Sequence, residues 1–366
     1  MSFIRHLLDK INQIGENQPL IGKFKPIYKA LDDFFYGTDK VTSLPHILDH
    51  LDIKRYMSLV ILGLLPATLA SIYFWGWRAL LIIIVSYVFG GAVEVVFAIT
   101  RKKDIHEGFL VTGLIFPLTL PPTIPLWMVA VGIVFGVLFG KEVFGGTGRN
   151  IFNPALVGRL FLSIAFPKAM STYWQKPFTS GLGGFAHYQN VDALTKATTD
   201  ALTSATPLNL FKSGGGELPS YLNLLIGYSS GCIGETFRIG LIAGGLFLIL
   251  TKIVNWRIPL SFLASVLIFS FIGNHFAPSK IAPPIFQLLS GGLLLGAFFM
   301  ATDPVTCPFT RMGKWIGGVI LGFLVVLIRS FSGYVEGVMF AIVILNVFTP
   351  LIDRIVLDIK YPKVVK

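Results

Sequence analysis

Near-continuous apolar runs recur around residues 58–77, 79–99, 108–122, 124–140 and 151–166, then again near 238–253, 257–274, 284–302, 314–329 and 335–352. A hydrocarbon core about 30 Å thick takes about 20 apolar residues as helix. The pattern therefore predicts an all-α polytopic membrane protein with about ten transmembrane helices. The third and fifth runs are short, and the third ends in Pro121 and Pro122, which predicts a broken or re-entrant element there. A polar connection from 167 to about 220 separates the two groups of five.

Composition agrees with the pattern. The 366 residues are 54% hydrophobic and 13% charged, about half the charged share of roughly 25% in soluble domains, and 32 Phe exclude disorder. Cys232 and Cys307 lack CxxC spacing, which excludes a cysteine-ligated cluster and a disulfide scaffold, and no His or Cys cluster offers a transition-metal site. The net charge of +11 comes from basic residues crowded between apolar runs and in the first 57 positions, a pattern that orients a protein in a bilayer and gives no reason to expect nucleic acid. With the N-terminus cytoplasmic, 21 Lys and Arg fall in the inside connections, Lys141 among them, against seven outside. Both termini are then cytoplasmic and the 167–220 loop lies on the outer face. Residues 1–57 hold eight basic residues and no apolar run long enough for a signal-peptide core, and so read as a cytoplasmic amphipathic preface.

Three collinear anchors divide the membrane part. Trp77-Arg78 recurs as Trp256-Arg257, Thr119-x-Pro121-x-Thr123 as Thr302-x-Pro304-x-Thr306, and Asn150-x-Phe152-x-Pro154 as Asn346-x-Phe348-x-Pro350. Two copies of a five-span unit must cross the membrane in opposite senses, which gives two inverted repeats with broken helices. Urea and ammonium channels also suit such an architecture. The expected organisation is preface 1–57, repeat one 58–166, outer loop 167–237, repeat two 238–355 and a cytoplasmic tail 356–366. Proline-interrupted segments at matching places in inverted halves mark a midplane site. The alternative at Thr119–Thr123 is a kink satisfied by its own threonines.

Leu120 of the first copy is matched by Asp303 in the second, and Glu94 lies two thirds along the second run. An acid at membrane depth costs at least ~2.5 kcal/mol on insertion scales and is a functional candidate by default. Carboxylates with carbonyls and hydroxyls make hard ligands suited to Na⁺ or a proton relay; the alternative is a buried pair with an arginine such as Arg329. Asp353 closes the last run just after Pro350, and Glu336 opens it. Gly90-Gly91 reads as close helix packing or as a place where a flat ring meets the backbone.

Several strings then read together: His106-Glu107-Gly108-Phe109-Leu110-Val111-Thr112-Gly113, the Leu-Pro-Pro-Thr of 120–123, Gly140-Lys141-Glu142 running to Asn150, Asn153-Pro154-Ala155, and Ala301-Thr302-Asp303-Pro304-Val305. With them the chain resembles, over essentially its whole length, the B-subunit family of the sodium-translocating NADH:quinone oxidoreductases. The sister family, the D subunit of the Rnf complex, shares much of the membrane part, but its chains start close to their first span.

The resemblance implies a component of a redox-driven sodium pump in the bacterial inner membrane, working with the A, C, D, E and F subunits and with membrane lipid. It implies FMN joined through its phosphate to a threonine by a flavin transferase, a non-covalent riboflavin, and a ubiquinone site. The attachment motif matches Asp200-Ala201-Leu202-Thr203-Ser204-Ala205-Thr206, followed by Pro207-Leu208, making Thr206 the acceptor; the near copy at Asp192–Thr198 is interrupted by Lys196. Family positions linked to sodium fall on Glu94, Asp303 and Asp353, and those linked to quinone on Gly90 and Gly91. Tyr28-Lys29 departs from the family's tyrosine-glutamate. Gly231-Cys232-Ile233-Gly234-Glu235-Thr236 resembles a family string with Cys for Ser, readable as a flavin seat or as a plain cap with Thr236. No side chain is implied to do covalent chemistry on a substrate. The rival readings are the Rnf D subunit and a flavin-free solute channel.

Overall fold

The computed structural model describes residues 53–102, 108–172, 174–179, 181–186, 205–214 and 218–361, and these are helical with no strand among them. Most of the preface, the Asp192 near copy and the first five residues of the Asp200 motif lie outside the described residues. Helices α1 (Ile53–Trp75), α2 (Trp77–Arg101), α3 (Gly108–Leu118), α4 (Leu126–Gly140) and α5 (Pro154–Ala165) cover the first five apolar runs. Short helices α6 (Pro167–Thr172), α7 (Pro207–Ser213) and α8 (Tyr221–Ile226) lie in the connection. The second group comprises α9 (Arg238–Leu250), α10 (Arg257–Phe276), α11 (Pro284–Leu289), α12 (Leu293–Leu295, continuing as a π turn over Gly296–Met300), α13 (Arg311–Phe331) and α14 (Val338–Lys360).

Among the described residues, six helices are long and apolar enough to cross a membrane: α1, α2, α4 with the turn after it, α10, α13 and α14. About ten transmembrane helices with broken elements are expected, and the third and fifth runs are indeed short helices. Helices α3, α5 and α9 have 11, 12 and 13 residues, too few for a bilayer core at 1.5 Å per residue. The run 284–302 is split at Gly291, whose φ of +66° suits glycine. The last helix runs past its expected end at 352, which places Asp353 well inside it.

Exposed Met312, Trp315, Ile316, Val319, Phe323 and Leu327 make a stripe at helical spacing along α13, while Gly313, Gly317, Leu321, Val325 and Arg329 on its other face are buried. A large apolar stripe outside and polar groups inside is the arrangement a bilayer requires. Small residues bring the helices together. On α13, Gly318-x₃-Gly322 lies against Ser261-x₃-Ser265 of α10, with the Ser265 hydroxyl donating to the Gly318 carbonyl at 3.0 Å. Where α1 crosses α9, Gly244 meets the backbone of Gly63. A Cβ at Gly136 of α4 would sit 2.5 Å from the Pro154 carbonyl oxygen of α5.

The proline breaks leave carbonyls that other backbone groups satisfy. After α3, the N–H groups of Gly234 and Ile233 donate to the Leu118 and Leu120 carbonyls at 2.7 and 3.0 Å. Two strings that stood out separately in the sequence therefore form one junction. The Trp75 indole N–H donates to Thr236 Oγ1 at 2.9 Å, tying the end of α1 to it.

Candidate functional site

Polar side chains gather at the two ends of α1. Tyr56, near its start, lines a small cavity of about 50 Å³ with Thr112, Asn153, Thr302 and Asp303. At the far end Trp75 holds Thr236, and the neighbouring Glu235 lines a cavity of about 330 Å³. Tyr56 and Trp75 lie on the one helix α1, which puts the two regions about 29 Å apart along it.

The larger cavity contains Thr206. Its backbone is extended and its hydroxyl caps α7, accepting from the Asn209 N–H at 3.4 Å, with Pro207 in the first helical position. The Thr-Pro-Leu string thus has a local structural account, and an oxygen already esterified still accepts that bond. Met170, Trp174, Leu208, Tyr334 and Met339 give the cavity an apolar lining, and Arg159, Cys232, Glu235 and Glu336 add polar groups. A cavity of this size with few convergent polar groups falls within the range of ligand sites, about 300–1,000 Å³. An aromatic ring system tethered at Thr206 fits it.

Three of these polar groups belong to a charged cluster that the sequence pattern did not reveal as a unit. Arg159, Arg238, Arg329 and Glu235 are buried, and Glu336 is half-buried beside them. Arg329 donates to the Gln287 and Ser290 carbonyls at 2.8 and 3.0 Å and pairs with Glu336 at 3.0 Å. Glu336 also accepts from the Gly292 N–H at 2.9 Å. Arg329 therefore braces the break in run 284–302; it is not the partner of Glu94 or Asp303. Burial pushes the Glu336 carboxyl up, but the Arg329 and Arg159 guanidiniums and the Gly292 N–H together hold it below its ordinary value. Arg238 donates to the Leu224 carbonyl and, at 3.4 Å, to Ser229 Oγ.

At the other end, Glu94 is 7% exposed and its partner is Lys141, itself 3% exposed. Lys141 is thus not a solvated charge of an inside connection, as the charge count assumes, because the turn after α4 folds it back onto α2. The adjacent Glu142 pairs with Arg101 at 2.8 Å. Asp303 is half-buried, accepting from the Val305 N–H at 3.1 Å and the Asn153 amide at 3.4 Å. Asn153 also caps α5, accepting from Ala155 N–H at 3.1 Å. Asp353 accepts from the N–H groups of Phe309 and Thr310 at 2.7 and 2.9 Å and from the Thr310 hydroxyl at 2.6 Å. Thr310 in turn caps α13, so Asp353 orients a helix start. Asp303 opens the irregular 303–310 segment and Asp353 binds its far end, while Glu94 is paired with Lys141.

Gly90 and Gly91 lie one turn before Glu94. A Cβ at Gly90 would meet the Phe109 ring at 2.6 Å and Ile133 at 2.8 Å. The flat ring against this backbone is therefore the protein's own Phe109, which stands edge-on to Tyr87. Among the described residues no three His, Cys, Asp or Glu side chains cluster as a metal site. Lys141, Asn153 and Arg159 were missed as site residues. The first two lie in strings singled out for resemblance, and Arg159 lies inside an apolar run, where a charge is itself a signal.

A model of the NQR2, RnfD, RnfE family matches residues 40–361, most of the chain. The chain belongs to this family. Among its relatives, the Na(+)-translocating NADH-quinone reductase B subunit of Ectopseudomonas mendocina is 37% identical over 410 residues, and that of Pseudomonas paraeruginosa 36% over 405. The protein of the same name from Klebsiella pneumoniae is 33% identical over 420 residues. Each alignment covers 97% of both chains, so the likeness to these family members runs through the preface and the connection as well as the helices.

Proposed function

We propose that this protein is the B subunit of a Na⁺-translocating NADH:quinone reductase in a bacterial inner membrane, carrying FMN on Thr206 and a non-covalent riboflavin. The observation that carries the reading is the position of Thr206, a buried hydroxyl on the wall of the 330 Å³ cavity, within a chain that aligns end to end with relatives bearing that name. Bound FMN supplies a centre that accepts and releases electrons. Thr206 would tether it, with Trp174, Tyr334 and Met339 lining the cavity around it and Arg159 on the same wall. Electrons come from NADH oxidised by a partner protein and leave to ubiquinone, with the A, C, D, E and F subunits completing the complex and a flavin transferase making the ester.

On this reading the chain comprises preface 1–57, repeat one 58–166, outer loop 167–237, repeat two 238–355 and tail 356–366, with both termini cytoplasmic and the 167–220 loop periplasmic. The two repeats are inverted copies of five elements. Two observations support this. Thr119 and Thr302, matching residues of the two breaks, each bond back to their own preceding turn, at 2.6 and 2.7 Å. In each half the second element packs on the fourth, α2 on α4 and α10 on α13.

Denaturing electrophoresis under ultraviolet light tests the flavin. The band from a host with the transferase should fluoresce, and Thr206→Ala should abolish the signal; a dark wild-type band sinks the flavoprotein reading. Quinone reduction by the purified complex separates this protein from an Rnf D subunit.

For sodium, the Asp303 carboxylate and Thr302 hydroxyl present hard oxygens to a cavity large enough for one small ion or water. Glu94 and Asp353 complete the pathway, with quinone near Gly90 and Gly91. Asp303→Asn is expected to bring sodium-stimulated turnover to its sodium-free level, and an unaltered sodium titration in that variant removes Asp303 from the path.

A further inference from the structure

Helices α10 and α13 run parallel and start side by side. The Ser261 and Ser265 hydroxyls of α10 donate to the Lys314 and Gly318 carbonyls of α13 at 3.4 and 3.0 Å, a step of four residues on each helix. At this end the exposed Trp256 and Trp315 meet edge-on, with ring centres 5.8 Å apart. Arg257, Arg311 and Lys314 lie in the first turns of the same two helices. No carboxylate among the described residues lies within ion-pair distance of any of the three. The Arg257 guanidinium sits 5.0 Å from the centre of the Trp256 ring and otherwise reaches only Asn255 Oδ1, at 3.4 Å.

The corresponding place in the first half shows that this arrangement is not required by the packing. Trp77-Arg78 opens α2 as Trp256-Arg257 opens α10, but there Arg78 is buried and donates to the Ile124 carbonyl at 2.7 Å. The first turn of α4, Leu126 to Val129, carries no charge. At the α10 and α13 end, Asp353 is already engaged by the Phe309 and Thr310 N–H groups, and Arg354 pairs with Asp358. Three cations against the one Asp353 leave two positive charges in excess, beside exposed apolar side chains.

We propose that the starts of α10 and α13 bind one anionic phospholipid. Arg257, Arg311 and Lys314 hold its phosphate headgroup. Trp256 and Trp315 sit at headgroup level, where an amphipathic ring has one apolar side and one wet side. An acyl chain lies along the exposed α13 stripe of Met312, Ile316, Val319 and Phe323. The charge excess decides which lipid this is, because a zwitterionic headgroup brings its own cation and gains less from three more. Since Asp353 takes the N–H groups at the start of α13, recognition falls to the side chains.

The test uses the purified complex in detergent micelles carrying equal amounts of phosphatidylglycerol and phosphatidylcholine, with retained lipids counted by native mass spectrometry. Wild type should retain at least one phosphatidylglycerol that is lost from Arg257→Gln with Lys314→Gln. Each neutralised cation should weaken the preference for phosphatidylglycerol about fivefold, and Arg257→Lys should keep it. A second measurement does not depend on the charge variants. The emission lost in Trp315→Phe, taken as the Trp315 signal of the wild type, should be quenched by brominated-chain phosphatidylglycerol more strongly than by brominated-chain phosphatidylcholine. Equal retention of phosphatidylglycerol by wild type and the double variant overturns the proposal. So does equal quenching by the two lipids, and quenching by neither means that protein covers this face, which overturns it as well.

Discussion

Lys141→Met should be among the most destabilising single substitutions in the chain, at about 3–5 kcal/mol, the range for removing one partner of a buried ion pair. The Glu94 carboxylate is then left 7% exposed on α2 with no cation beside it. The cost comes from the orphaned charge more than from the lost attraction, because two buried charges together return little beyond their own desolvation. Glu94→Gln with Lys141→Met should therefore recover most of the loss. On a scale of roughly 2 °C per kcal/mol for a large domain, the single variant lowers the apparent melting temperature of the purified complex by roughly 6–10 °C. Fluorescence-detected size exclusion after heating reads this directly. If the double variant is no more stable than Lys141→Met, the pair is not what holds α2 to the turn after α4. The pair also bears on transport, because Lys141 occupies the cation position at Glu94 and any sodium there must displace it.

A second large effect is expected at the crossing of α1 and α9. In Gly244→Ala the new Cβ would overlap the Gly63 carbonyl oxygen, with the Phe299 ring 3.2 Å away on the other side. Overpacking commonly costs about 1–3 kcal/mol. The upper end applies here, because the obstacle is backbone and cannot rotate away. Gly63→Ala, on the facing helix, meets the Gly244 carbonyl oxygen at 3.3 Å and the Leu248 side chain at 3.3 Å, and the leucine can adjust, so its cost should be smaller. Gly333→Ala, with nothing within 4 Å, serves as a reference with little effect. The three substitutions change the same atoms, so heat stability in detergent should rank Gly244 below Gly63 and Gly63 below Gly333. Equal losses at Gly63 and Gly244 contradict a backbone contact at this crossing.

Much of the fold is legible along the chain. The runs at 79–99, 257–274 and 314–329 became α2, α10 and α13, because an apolar stretch of that length has few places other than a bilayer to go. The proline break after Leu118 was legible too, since Pro121 and Pro122 cannot continue a helix. Less was legible at the candidate sites. Asp353 reads as the end of a span beside sodium-linked acids, yet its carboxylate takes three hydrogen bonds from the 309–310 turn. Its partners are more than 40 residues away, and no local pattern reports them. Gly90 reads as a place for a flat ring, and the ring that fills it is Phe109.

Local chemistry by itself determined that the protein lives in a membrane, that it is helical and where helices must break, because apolar length and proline geometry act over a few residues. Tertiary structure alone decided which charges meet. Lys141 counted as a solvated basic residue until the chain folded it onto Glu94, and Arg159, Glu235 and Thr206 came to one cavity from segments tens of residues apart. In a low-dielectric interior the role of a charge is set by the groups within a few ångströms of it, and those neighbours come from the packing of the whole chain.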